Sequence, residues 1–114
     1  MDKLYKYYFR PGYQSQELLI DIFYGAENET FIPDFLNAIA VLKPKMTDIL
    51  DLWMNDEVIM TYNSEIGYFT LSKDIWGFAF IMAENNQEGL VKINSILENA
   101  AMFEKVEVDF ENYK

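Results

Sequence analysis

Carboxylates carry nearly all the chemistry this chain can offer. Nineteen Asp and Glu stand among 114 residues, with no His and no Cys. Without imidazole, the usual general base near neutral pH is missing. Without a thiol, so is the most readily ionised nucleophile. Ser-His-Asp and Cys-His catalysis are therefore excluded, and zinc loses its preferred ligands. The five glycines, Gly12, Gly25, Gly67, Gly77 and Gly89, are too widely spaced for a phosphate-cradling loop. Glycoside hydrolysis can run on two carboxylates facing each other across a cleft. No pair here is marked out for that work. The expectation is a protein with no catalytic residue, no cofactor and no metal.

Two acidic arrays remain as candidate sites. The first is Asp48, Asp51, Asp56, Glu57 and Glu65, grouped around Trp53 and Met54. Acids around an exposed aromatic would suit an Arg- or Lys-rich protein partner. Alternatively Trp53 fills the core and the acids merely flank it. The second array is Glu107, Asp109 and Glu111. Their period-two spacing puts all three on one face of a strand, opposite Val106, Val108 and Phe110. Such an array can be a solvated strand face, a stripe for a partner, or a grip for Ca²⁺ or Mg²⁺. A flat strand lacks the converging ligands and turn glycine of a cation cage. The candidate partner-binding residues are thus Asp48, Asp51, Trp53, Asp56, Glu57, Glu65, Glu107, Asp109 and Glu111.

The overall charge points the same way. Nine Lys and Arg leave a net charge of −10 and a pI near 4.3. Phosphate contacts need Lys and Arg, so neither nucleic acid nor an anionic membrane is an expected partner. A basic protein is. The charge is also segregated. Lys3, Lys6 and Arg10 cluster early, and no base interrupts Pro11–Leu42 or Met46–Ser72. Interleaved with those early bases, Tyr5, Tyr7, Tyr8 and Phe9 suggest a single-strand stacking surface or, more simply, alternating core and rim positions. An apolar fraction of 51% supports a real core without disulfides. The start shows no apolar signal region, and the longest apolar run, Ile75–Ala83, is too short to span a bilayer. A soluble, cytoplasmic, single domain over residues 1–114 is expected.

The elements that would position these residues follow from periodicity and punctuation. Leu4–Phe9 reads as a strand and Glu17–Tyr24 as either a helix or, in preference, its hairpin partner around Pro11-Gly12. Thr30 can cap a helix from Phe31 to Leu42, whose Phe31, Phe35, Ile39 and Leu42 share one face. Thr47–Met54 reads as a short second helix with Ile49, Leu50 and Trp53 inward and Asp48 and Asp51 outward. Glu57–Tyr62, Gly67–Leu71 and Ile75–Ala83 read as a three-stranded meander, the last strand buried on both faces with Trp76 in the core. Asn85-Asn86 caps a helix to about Ala100, with Leu90, Ile93 and Leu97 inward and Lys92, Asn94 and Glu98 outward. Phe103–Phe110 closes as a strand. The expected fold is α+β, an antiparallel or mixed sheet of about five to six strands with two to three helices packed mainly on one face. A strand, Ala26-Glu27-Asn28 and a helix are echoed half a chain later by a strand, Ala83-Glu84-Asn85 and a helix. That is either coincidence or a duplicated half.

The C-terminal half, from Gly67-Tyr68-Phe69 through Trp76-Gly77-Phe78-Ala79-Phe80-Ile81 to Val106-Glu107-Val108-Asp109-Phe110, resembles the α+β cores of small acidic immunity proteins. These belong to bacterial polymorphic-toxin and contact-dependent growth inhibition systems. The resemblance lies in layout rather than fixed residues, so no functional residue carries over. It implies a cognate toxin domain, such as a nuclease, as partner. Two other functions are compatible with the residues: a small cytoplasmic ligand-binding or regulatory domain, and an inhibitor that mimics nucleic acid.

Overall fold

A computed structural model describes residues 3–12, 16–83, 85–109 and 111. Tyr5–Pro11 (β1) and Leu18–Tyr24 (β2) form the expected antiparallel hairpin. Helix α1 spans Phe31–Ala38 and is followed by a 3₁₀ turn, Ala40–Leu42. Thr30 does not cap α1 with its side chain. Its hydroxyl lies 3.3 Å from the Tyr5 hydroxyl instead. Lys45–Leu52 (β3), Glu57–Ser64 (β4), Gly67–Asp74 (β5) and Ala79–Met82 (β6) follow, then helix α2, Gln87–Glu98, and a short strand β7, Phe103–Lys105. One sheet of seven strands results, in the order β3-β4-β5-β6-β2-β1-β7. Every neighbouring pair is antiparallel except β1 and β7.

The register sorts the side chains. One face carries the rows Tyr7–Ile22–Ala79–Lys73–Val58–Asp51 and Phe9–Ile20–Ile81–Leu71–Met60–Ile49. Both helices pack there, Phe31 edge-on to Tyr5 and Phe35 edge-on to Phe69, while Leu90, Ile93 and Leu97 bring α2 into the same core. The opposite face carries Tyr8–Asp21–Phe80–Ser72–Ile59–Leu50, and among the described residues no helix packs over it. There the buried Asp21 carboxylate accepts from the Arg10 guanidinium at 3.1 Å.

Several sequence expectations are corrected. Thr47–Met54 is not a helix, so the described residues form two α-helices and seven strands. Asp48 and Asp51, three apart on β3, consequently face opposite sides. Ile75–Phe78 is a hairpin loop rather than strand: the Asp74 carboxylate accepts from the amides of Trp76 (2.9 Å) and Phe78 (3.1 Å), and Gly77 supplies φ 89°. Trp76 therefore leaves the core and is 64% exposed. The closing strand stops at Lys105, so Glu107 and Asp109 lie beyond any strand pairing; Phe110 is outside the described residues. Asn94 faces inward, where its side-chain carbonyl accepts from the buried Tyr7 hydroxyl at 3.1 Å.

Candidate partner-binding surface

The sheet outgrows its helices on the β3 side. Helix α1 covers the centre, and β3 lies beyond it with nearly every residue exposed. The result is a groove of about 450 Å³ floored by Ile49, Val58 and Met60, with Ile32 of α1 along one wall. Trp53 and Ile75 stand at its mouth, and Asp51, Asp56, Glu57 and Asp74 line it. One base, Lys73, is among the lining residues. Trp53 is 74% exposed and Ile75 67%. Met54 and Trp76, beside them in chain, are exposed as well.

Local geometry explains why these apolar side chains stay outside. Trp53–Asn55 is a 3₁₀ turn joining β3 to β4, and Asp56 closes it in the left-handed region at φ 54°. The turn follows the outermost strand, at an end where β3, β4 and β5 finish level (Leu52, Glu57 and Asp74), and its Trp53 and Met54 stay exposed. Ile75 and Trp76 project from the neighbouring hairpin loop, which Asp74 and Gly77 hold. Two turns at one end of the sheet thus leave Trp53, Met54, Ile75 and Trp76 exposed, and Trp53 and Ile75 meet at the groove. Large exposed apolar groups gathered in one place mark an interaction surface more than scattered ones do.

The acids are arranged around this apolar end. Among the described residues, Asp51, Asp56 and Asp74 form no ion pair. Asp74 holds its own turn, as above. Glu57 accepts from the Ser72 hydroxyl at 2.5 Å on the helix-free face, which fixes its carboxylate.

The sequence candidates therefore divide. Asp51, Trp53 and Asp56 meet at the groove; Glu57 borders it at the start of β4, but its carboxylate turns to the opposite face with Ser72. Asp48 sits on the same edge strand but looks to the other face. Glu65 is in the turn at the far end of β4, about 25 Å away by strand rise, and lies 3.7 Å from Lys43. Glu107, Asp109 and Glu111 follow β7, the strand at the opposite edge of the sheet. Glu107 is 3.7 Å from Lys105, and Asp109 accepts from the Glu111 amide at 3.0 Å. Lys105 also binds Glu98 at 2.8 Å, which raises the lysine pKa and lowers that of Glu98. Among the described residues no three acidic side chains converge as a cation cage requires. Asp74, Ile75 and Ile49 belong to the site although sequence reasoning missed them. The pattern Asp-x-x-Gly over Asp74–Gly77 was the available signal, since it is a turn signature that would have freed Ile75 and Trp76 from a strand.

No helix among the described residues is long and apolar enough to cross a membrane. No protein-family model, curated protein or solved structure matches the chain.

Proposed function

We propose that the protein is a binding protein that neutralises a basic toxin domain by covering it, an immunity-type inhibitor acting in the cytoplasm. The observation that carries this reading is the groove at the β3–β4 end, where exposed Trp53 and Ile75 are ringed by Asp51, Asp56 and Asp74. An apolar centre with a charged rim is how protein-binding hot spots are built. The net charge of −10 adds long-range attraction for a cationic partner and so speeds encounter. The role is stoichiometric: the chain holds its partner and transforms nothing. Glu57, held by Ser72, and Asp48 extend the negative field onto the other face of this end of the sheet.

The direct test is co-expression with the product of the neighbouring reading frame, followed by affinity capture at low salt. A one-to-one complex whose association slows as salt is raised is expected. Absence of a complex at low salt contradicts the reading.

A further inference from the structure

The two edges of the sheet are built differently. β7 is three residues long, ends in Lys105 and packs against α2. Short length, lysine and a covering element are ordinary ways to keep an edge from pairing. β3 has eight residues, no proline, and exposure along almost its whole length. Its one lysine, Lys45, stands before a register irregularity between Met46 and Asp48. Beyond that point Asp48–Leu52 pairs regularly with Thr61–Glu57 of β4. Alternate residues of such an antiparallel edge turn N–H and C=O away from the neighbour. Among the described residues, no backbone segment other than β4 bonds to them.

We propose that Asp48–Leu52 accepts an added β-strand from the basic partner, extending the sheet beyond β3. The inference rests on the binding-surface reading and names its mode. Main-chain bonds would supply affinity, and side chains directly opposite each other would supply selectivity. A strand laid along this edge meets Asp48, Ile49, Leu50 and Asp51 in turn. Its complement is a basic residue, two apolar residues and a second basic residue. That order reads the same from either end, so parallel and antiparallel addition are both served. The two basic groups fall on opposite faces and would clasp the edge from both sides. A second copy of the chain is a poorer occupant. It would bring its own Asp48 and Asp51 alongside this pair, on a molecule also carrying −10.

Amide hydrogen exchange tests the proposal. The probe is a capped strand peptide of about ten residues with the basic–apolar–apolar–basic order at its centre, added at low salt. Exchange of the outward amides within Asp48–Leu52 should slow at least about tenfold. A control peptide with acidic residues in place of the basic ones should leave it unchanged, as should the basic peptide added to an Ile49→Lys variant. Absence of slowing in β3 overturns strand addition, whether or not Trp53 and Ile75 respond. Slowing without peptide, accompanied by a dimer in sedimentation, also overturns it and gives the edge to a second copy. In each case the complex with the neighbouring gene product still tests the binding-surface reading by itself.

Discussion

Arg10 and Asp21 make the one well-buried ion pair among the described residues, at 3.1 Å on the helix-free face. Burial raises the Asp21 pKa above its ordinary 3.8, although the Arg10 guanidinium pulls it down. The native state therefore holds its proton more tightly than the unfolded chain. Stability falls as pH rises from 3.8 through the raised value. Arg10→Leu leaves the carboxylate buried without its cation, which should cost about 3 kcal/mol near neutral pH. The variant also raises the Asp21 pKa further, so protonation relieves the defect earlier. Urea denaturation should show the deficit shrinking by half or more between about pH 7 and about pH 4. A deficit independent of pH would contradict this account. Sequence spacing could not show this pair: Arg10 and Asp21 meet only because the hairpin register brings Tyr8 opposite Asp21 and Arg10 opposite Leu19. The same limit hid Asn94, whose helical position looked outward until Tyr7 supplied a hydroxyl beneath it.

At the scale of elements, legibility followed burial. Helix α2 was readable because Leu90, Ile93 and Leu97 recur on one face and Asn86 caps it, accepting from the Gly89 amide at 3.2 Å. Strands β4 and β5 were readable from their branched and aromatic residues between turns. β3 was not. Lying at an edge beyond the helices, it exposes both faces, so no apolar alternation records its period, and Ile49, Leu50 and Trp53 imitate a helical stripe. Pairing with β4 decides the matter, a tertiary effect invisible in a window of eight residues. Asn86 does more than cap. Its amide nitrogen donates to the carbonyls of Ile66 (2.6 Å) and Tyr68 (3.3 Å), tying α2 to the β4–β5 turn. Asn86→Ala should therefore cost about 2 kcal/mol in chemical denaturation, above the roughly 1 kcal/mol of an ordinary cap. A loss under about 0.5 kcal/mol would mean those bonds contribute little.

For the whole molecule, topology explains why the groove lies where it does. The order β1-β2-α1-β3 is repeated as β5-β6-α2-β7, and β2 and β6 meet at the centre of the sheet. β7 pairs directly with β1, in parallel. β3 runs parallel to β5, as two successive antiparallel pairings require, but β4 stands between them. β4 is the strand without a counterpart. Its presence pushes β3 one place outward, beyond the helices, and opens the groove between Ile32 and Trp53. The triplets Ala26-Glu27-Asn28 and Ala83-Glu84-Asn85 fall at matching places before α1 and α2, with Glu84 outside the described residues, and three residues do not decide between coincidence and duplication. Net charge was legible at once from composition, but not which of the acidic stretches surrounds exposed aromatics. That required the two turns to be placed side by side.

The claim that the β3–β4 end is the site is tested most directly by binding kinetics with the neighbouring gene product. Trp53→Ala combined with Asp51→Lys alters two exposed side chains and should leave folding stability within about 0.5 kcal/mol. It should weaken the complex at least about 30-fold, as losing an aromatic anchor and reversing a rim charge imply. Glu107→Lys, at the opposite edge, should leave affinity within about threefold. Unchanged affinity in the double variant, with a loss in Glu107→Lys, would contradict the account and move the interface to the other edge of the sheet.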